Sequence, residues 1–329
     1  MRIALLHNAR PERLPAGLPD DAFEEYDREE TIASVAVALE GAGAEVRRVP
    51  ADAQLPFRLS EGRFDFAFNM AEGQGRRCRE AIPAAVCELL SLPYTGSDAL
   101  TLAVTLDKAV ARRLVSPDVP VARAALVESE ADAERLQELS YPALVKPNDE
   151  GSSKGIRADA LAADPKAAAE GCRRLSALYG CAALVEEFLP GAEVTVGVVG
   201  NGASARVLGM MEIAPAHSNG PFVYSVEVKR DFRSRVRYHV PPRLSQAVRD
   251  DIERLALAAY RLLGCRDVAR LDFRCDAAGR PRFLECNPLP GLDPDSSDLV
   301  ILSRGILPYG ELVRGILRDA ASRQGVQIS

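Results

Sequence analysis

Two segments near the C-terminus carry side chains whose types and spacing suit chemistry. Val268-Ala269-Arg270-Leu271-Asp272-Phe273-Arg274-Cys275, the turn Asp276-Ala277-Ala278-Gly279 and Pro281-Arg282-Phe283-Leu284-Glu285-Cys286-Asn287 read as a β-hairpin. Folded symmetrically about Ala278-Gly279, the hairpin sets Asp272 opposite Glu285 and Arg270 opposite Asn287. Period-2 alternation then places these four on one face and Leu271, Phe273, Leu284 and Cys286 on the other. Two carboxylates with Cβ atoms about 5 Å apart repel each other unless a cation sits between them. An Asp, a Glu and an Asn amide oxygen suit a hard divalent ion such as Mg2+, with Mn2+ as the alternative. Mg2+ held by one or two carboxylates commonly also holds substrate phosphates. The plainer explanation is that Arg270 neutralises a polar sheet face.

Of the 41 basic residues only Lys108, Lys146, Lys154, Lys166 and Lys229 are lysines, and the other 36 are arginines. A compact ammonium is favoured over a planar fork where a phosphate sits in a confined site. Lys146 ends the short strand Tyr141-Pro142-Ala143-Leu144-Val145-Lys146, and Gly151-Ser152-Ser153-Lys154-Gly155 follows. Such a loop can turn backbone N–H groups and the Ser152 and Ser153 hydroxyls toward an anion, with Lys146 adding charge. Alone it is no more diagnostic than a plain turn; it is not a Walker A loop, and no Rossmann fingerprint follows the first strand. Downstream, Leu184-Val185-Glu186-Glu187-Phe188-Leu189-Pro190-Gly191-Ala192-Glu193 runs a strand into a bend with three acids. Such a bend can meet an adenine edge and ribose hydroxyls, although surface acids in a loop would look the same.

These residues need a scaffold, and the apolar patterning supplies one. Strands are expected at 2–7, 45–49, 64–69, 122–127 and 142–146, and helices at 29–41, 79–91, 98–115, 130–139 and 164–179. This alternation predicts α/β units with mostly parallel sheets in the first half. Strands at 183–188, 193–199 and 204–213, a helix at 243–263, the hairpin and a helix at 308–323 complete the chain, α+β in its C-terminal half. The stretch 214–240 lacks periodicity and carries Lys229, Arg230, Arg233, Arg235 and Arg237, which predicts a lid over an anion rather than a solvated edge. Boundaries near 107 and 187 give three subdomains, 1–107, 108–187 and 188–329.

The 329 residues, 47% of them hydrophobic and 27% charged, can bury sizeable cores, which excludes a disordered or disulfide-stapled chain. Seven cysteines without a CxxC pair fit reduced thiols, with Cys275 and Cys286 as hairpin packing. The net charge of −6 argues against nucleic acid or an anionic membrane as partner, and no apolar run is long enough to span a bilayer. A cytoplasmic protein acting on small molecules is expected.

In this order and spacing, the motifs resemble the ATP-grasp superfamily, and within it the D-alanine–D-alanine ligases and their relatives. The resemblance runs from Pro93-Tyr94-Thr95-Gly96-Ser97 and Leu106-Asp107-Lys108 through 144–156 and 184–199 to Glu285-Cys286-Asn287-Pro288-Leu289-Pro290-Gly291 and Ser297. It implies three α/β subdomains with ATP between the central and C-terminal ones, and a possible homodimer. It implies that Lys108 and Lys146 contact ATP phosphates, Glu186, Glu187, Phe188 and Leu189 form the adenine hinge, Glu193 holds the ribose, and Lys229 is a lid lysine near the γ-phosphate. Asp272, Glu285 and Asn287 become the Mg2+ ligands. Arg270 and the backbone near Gly291 match the groups that stabilise a tetrahedral intermediate, with Ser152 beside them in the catalytic set. Ser296 matches the hydroxyl that holds the second substrate's carboxylate. The implied chemistry is phosphorylation of a carboxylate by ATP, then attack by an amine on the acylphosphate to give an amide, ADP and phosphate.

The match fails where the first substrate should bind. The family's Glu-Val-Ser-Leu segment is not reproduced in Glu24-Glu25-Tyr26-Asp27-Arg28-Glu29-Glu30-Thr31. Its His-Gly segment is replaced by Asn69-Met70-Ala71-Glu72-Gly73, followed by Arg76, Arg77 and Arg79, and Arg230 stands where a tyrosine is usual. Glu72 and Arg230 are therefore candidate substrate contacts. A ligase whose carboxylate substrate is not D-alanine is predicted, with the arginines hinting at an acidic substrate unless they simply face solvent. The alternatives are a true D-alanine–D-alanine ligase with a divergent pocket, a non-catalytic nucleotide-binding regulator, and phosphorylation without ligation or ester formation.

Overall fold

The computed structural model describes residues 1–75, 77–217 and 220–327. Three sheets carry the fold. The first is parallel, with β1 (Arg2–His7) between β2 (Glu45–Pro50) and β3 (Phe66–Asn69). Helices α1 (Glu29–Glu40), α2 (Leu55–Gly62) and α3 (Ala81–Leu89) belong to this unit. Ile3 and Leu5 face a core shared with α1, while Ala4 and Leu6 face another with α2 and α3, as alternation requires for a strand covered on both faces.

The helix expected over 98–115 is two helices, α4 (Ala99–Leu106) and α5 (Lys108–Val115). Asp107 breaks them, extended at ψ 96°, and its carboxylate accepts from the Val110 N–H as the N-cap of α5. That break puts Lys108 in the first turn of α5, with Arg112 four residues later on the same face.

The second sheet, in the order β4 (Ala124–Val127), β7 (Ala183–Glu187), β5 (Ala143–Pro147), β6 (Leu161–Ala162), is antiparallel throughout. The expectation of parallel pairing fails here. The intervening helix α6 (Pro165–Tyr179) leads not to a parallel neighbour but to β7, which runs back between β4 and β5. The segment 130–139 forms a 3-10 helix, Glu130–Glu138, rather than an α-helix. Ala143, Val145, Ala183 and Val185 pack under α6, so Leu144, Lys146, Leu184 and Glu186 take the opposite face.

The third sheet is antiparallel, in the order β10 (Val236–His239), β9 (Arg206–Pro215), β8 (Glu193–Val199), β11 (Val268–Cys275), β12 (Pro281–Asn287). Val194, Val196, Leu271, Phe273 and Phe283 pack against α9 (Gln246–Leu262). Glu193, Thr195, Arg270, Asp272 and Arg274 therefore point to the other face, toward the second sheet. The short helix α10 (Asp298–Ser303) lies on this same face at Gly197, where a Cβ would come within 2.8 Å of Leu299 Cδ1. The last helix, α11 (Tyr309–Arg323), returns to α1.

The segment 214–240 is more ordered than its composition predicts. It holds α7 (Val226–Arg230), α8 (Phe232–Arg235) and β10, which pairs with β9. Among the described residues no helix is long and apolar enough to cross a membrane.

Candidate active site

The hairpin places Asp272 opposite Glu285 and Arg270 opposite Asn287, as its symmetry predicts. Beyond Asp272 the register slips by one residue, so that Phe273 pairs with Phe283. The bulge corrects the expected apolar face: Phe283 turns into the core, edge-on to Phe273 at 5.9 Å, while Leu284 lines the cleft. Two fully buried rings outweigh one leucine in fixing the register.

The cleft between the second and third sheets gathers Lys108, Lys146 and Lys229, the loop Gly151-Ser152-Ser153-Lys154, the edge Glu186 to Leu189, and the carboxylates Glu193, Asp272 and Glu285. Its apolar wall includes Leu144, Ile156, Ile213 and Leu284. Lys108 Nζ lies 3.6 Å from Glu285 Oε2 and also contacts the Glu150 carbonyl. The Arg270 guanidinium spans the hairpin carboxylates, 2.9 Å from Asp272 Oδ2 and 3.4 Å from Glu285 Oε1. Asp272 also accepts from Thr195 Oγ1 at 2.7 Å. Burial raises Asp272 above the ordinary range, an effect Arg270 only partly offsets. For Glu285 burial is outweighed by Lys108, Arg270, Lys146 and Lys229, which hold it below its ordinary value. Asn287 Oδ1 accepts from the Leu289 N–H at 2.8 Å, leaving one lone pair.

Lys146 is 4% exposed and sits 2.6 Å from Glu186 Oε2, while Arg112 Nη1 lies 2.6 Å from Glu186 Oε1. Glu186 is thus engaged by two buried cations, which overcome its burial and keep it ionised. Its carboxylate is therefore occupied by Lys146 and Arg112 rather than left to meet an adenine edge. Arg112 escaped the sequence reading, although its place one turn after Lys108 was the available signal. Glu187 turns outward and accepts from the Ser140 N–H at 2.9 Å. Burial pushes Glu193 up to about 7 against the pull of Arg274, 3.0 Å away. Arg274 in turn stacks on the Phe188 ring, 4.6 Å from its centroid.

Ser152 and Ser153 both adopt left-handed φ, 51° and 59°, which costs about 1 kcal/mol or more each and persists where the surroundings over-determine it. Ser152 borders both the nucleotide cleft and a second, wider one. The Ser153 hydroxyl donates to the Tyr224 carbonyl at 2.8 Å and so ties the loop to the segment 214–240. The Val226 N–H adds a bond to the Ile156 carbonyl. Lys229, on α7, is buried and its pKa lowered, chiefly by that burial.

The second cleft is lined by Glu72, Asp27, Lys229, Arg270, Gly291 and Asp298, among others. Its arginines do not serve as expected. Arg79 is buried away from it, 2.6 Å from Glu25 and 3.2 Å from Glu150. Arg77 pairs with Asp107 at 2.6 Å, and Arg76 lies outside the described residues. Arg230 is held by Asp20 at 2.7 Å and Glu24 at 2.8 Å. Ser296 lines this cleft, and its hydroxyl donates to Asp293 Oδ1 at 2.8 Å, closing a turn. Gly291 is required by a close approach: a Cβ there would lie 2.8 Å from Ser297 Oγ. The carboxyls that remain are acidic groups with raised pKa. Burial, with Asp293 adding to it, pushes Asp27 up to about 7. Glu72 is raised well above its ordinary value by burial and then by Glu80 and Glu25, whose carboxylates lie within 4.8 Å. Asp27 sat within the segment that fails the family pattern, and Asp298 stood in no motif.

A nucleotide-sized cleft between two antiparallel sheets, lined by three lysines and floored by paired carboxylates, defines an ATP-grasp ligase. The family model described as D-ala D-ala ligase C-terminus matches residues 115–318. The D-alanine–D-alanine ligase of Anaeromyxobacter sp. (strain Fw109-5) is 34% identical over 302 residues, covering 88% of this chain and 91% of that protein. The enzyme of the same name from Synechococcus sp. (strain JA-3-3Ab) is 33% identical, covering 87% and 86%. The crystal structure of the Bacillus anthracis D-alanine–D-alanine ligase complexed with ATP superposes with a TM-score of 0.75 over 99% of both chains at 18% identity, which shows the shared fold. The chain belongs to the D-alanine–D-alanine ligase family, and it is an ATP-dependent ligase that joins a carboxylate to an amine.

Proposed function

We propose that this ligase activates a small amino acid other than D-alanine at its carboxylate and transfers the acyl group to an amine, with Mg2+ between the hairpin and the triphosphate. The observation that carries the reading is convergence. Lys108, Lys146 and Lys229 meet Asp272 and Glu285 in one cleft, although five separate elements supply them. Lys108, Lys146 and Lys229 would offset charge on the transferred phosphoryl group, the loop at Ser152 would cradle it, and Glu193 with the backbone of Glu186 to Leu189 would hold the nucleoside. Asp272, Glu285 and the free lone pair of Asn287 fit a hard divalent ion, which would neutralise phosphate charge when bound; Mn2+ satisfies the same donors. Arg270 and the Gly291 N–H would face the oxyanion formed as the amine adds. In this division 1–107 supplies the first substrate's wall, and ATP lies between 108–187 and 188–329.

The substrate assignment rests on the second cleft. Its acids Asp27 and Glu72 suit an ammonium group, while Arg77, Arg79 and Arg230 are engaged by Asp107, Glu25 and Asp20, so an acidic substrate loses their support. A true D-alanine–D-alanine ligase is the second reading, favoured by the names of the relatives. ADP release measured over amino acids of both hands, with product mass spectrometry, separates the two. Turnover with several amino acids and little with D-alanine supports the proposal, and robust turnover with D-alanine alone overturns it. ADP release without an amide product would indicate phosphorylation or ester formation, and magnesium-dependent ATP binding without turnover would indicate a regulator.

A further inference from the structure

Asp298 is a charged residue of the cleft whose presence neither the metal, the phosphates nor the family pattern accounts for. It is 7% exposed, yet it lines both the nucleotide cleft and the substrate cleft. Its Oδ1 has no hydrogen-bond partner among the described residues, and its Oδ2 is 3.6 Å from Arg270 Nη1, beyond hydrogen-bond length. Arg270 makes closer pairs with Asp272 and Glu285, so Asp298 is not needed as its counter-ion. Leaving a buried carboxylate oxygen unpaired costs roughly 1–3 kcal/mol or more.

The position is built. Arg270 pairs across the sheet with Gly197, the residue on which α10 rests, and Asp298 is the first residue of α10. A side chain at Gly197 would lift the helix and with it the carboxylate. The charged and titratable groups around Asp298 are Arg270 and Asp272 from β11, Lys229 from α7, and Tyr224 and Tyr238, whose hydroxyls are 3.0 Å apart. Ser296, the hydroxyl expected to meet the acceptor, has its proton committed to Asp293 Oδ1 and cannot serve as a base.

Resting on the ligase reading above, we infer that Asp298 binds the ammonium group of the acceptor and takes the proton it must lose before it can attack. One N–H proton passes to Oδ1. The freed lone pair forms the C–N bond at the acyl carbon beside Arg270. The C–O bond to phosphate then breaks, phosphate leaves with that electron pair, and the second amine proton departs with it. Amide and phosphate remain, and Asp298 returns its proton to solvent. The acceptor is accordingly a primary amine that arrives as its cation.

Hydroxylamine tests this because it is largely unprotonated at neutral pH and needs no base. Wild-type protein and Asp298→Asn are supplied with ATP, Mg2+ and a panel of amino acids of both hands, with and without hydroxylamine. Amide is read by mass spectrometry and hydroxamate by its iron complex. The expected result is an amide rate lower by about 10²–10⁴-fold with a hydroxamate rate within about threefold of wild type. Equal loss of both would make Asp298 a structural support of Arg270, and retention of both would leave it without a role; either overturns the inference. If Asp298→Asn does not fold, Asp298→Ser is read in the same way. Failure of the wild-type protein to form hydroxamate from any amino acid would instead sink the ligase reading itself.

Discussion

The two clefts meet at Arg270 but are built on opposite principles. On the nucleotide side the buried carboxylates have their counter-charges in place: Glu186 lies between Lys146 and Arg112, Glu193 faces Arg274, and Asp272 and Glu285 face Arg270 and Lys108. On the substrate side Asp27 and Glu72 line the wall with no ion pair among the described residues, and Asp298 stands 3.6 Å from Arg270 with its Oδ1 unpaired. The first arrangement is rigid before ligand arrives, which suits a group that never changes. The second stores unpaired acidity that a cationic ligand would relieve, which suits recognition.

The sharpest way to break the contrast is to remove a carboxylate from the paired side. Asp272→Asn and Glu285→Gln are each expected to lower kcat by about 10³-fold, since a metal-ion contact is worth several kcal/mol of transition-state charge stabilisation. Steady-state ADP release checks this, and titration with Mg2+ should show a raised metal requirement. Activity within tenfold of wild type would remove the hairpin from the chemistry.

A structural variant tests the same side for rigidity. Glu186→Ala leaves Lys146 and Arg112 buried without an anion, and breaking a buried pair costs about 3–5 kcal/mol. Urea denaturation reads the loss directly. A change below about 1 kcal/mol would mean that water already reaches the pair.

How much of this was legible in the sequence follows the same division. Paired groups announce themselves locally: Asp272 and Glu285 are fixed by hairpin symmetry, and Lys146 by a strand running into a Gly/Ser loop. The register was legible only as far as the bulge, because nothing local said that Phe283 would outcompete Leu284 for the core. The antiparallel order of the second sheet was hidden, since a helix between two strands is compatible with either direction until their neighbours are known. Asp298 could not be read at all. Its meaning depends on a helix seated on Gly197, remote in the chain and silent in any local pattern. Arg79 misled for the same reason, its partners Glu25 and Glu150 being remote in the chain.

On the unpaired side, Asp27 offers a pH test. Its carboxyl is raised from 3.8 to about 7. Between those values the folded protein holds a proton that the unfolded chain has lost, so stability is full below 3.8 and falls as pH rises toward 7. Asp27→Asn should remove that component and stabilise the neutral-pH protein by on the order of 2–4 kcal/mol, read from urea midpoints across the window. Parallel stability curves for variant and wild type would show that Asp27 is already neutralised by a partner. The same variant should raise KM for the amino acid, tying the acid to recognition.

The smallest effect is expected at the rim, where the two principles meet. Arg230 ties α7 to the N-terminal segment through Asp20 and Glu24, and hydrogen bonds from Arg157 first and Arg230 second hold Asp20 down at about 2. These groups are partly solvated, with the Arg230 side chain 38% exposed, so each pair is worth about 0–1 kcal/mol and is screened by salt. Arg230→Ala should therefore weaken lid closure modestly, raising the KM for ATP by less than about fivefold, and the difference should shrink as salt is added. A loss of several hundredfold in kcat, insensitive to salt, would mean that Arg230 leaves its acidic partners and touches substrate when the lid is loaded. That outcome would return an arginine to the substrate wall and with it the case for an acidic substrate, because Asp20 and Glu24 would then be only its resting place.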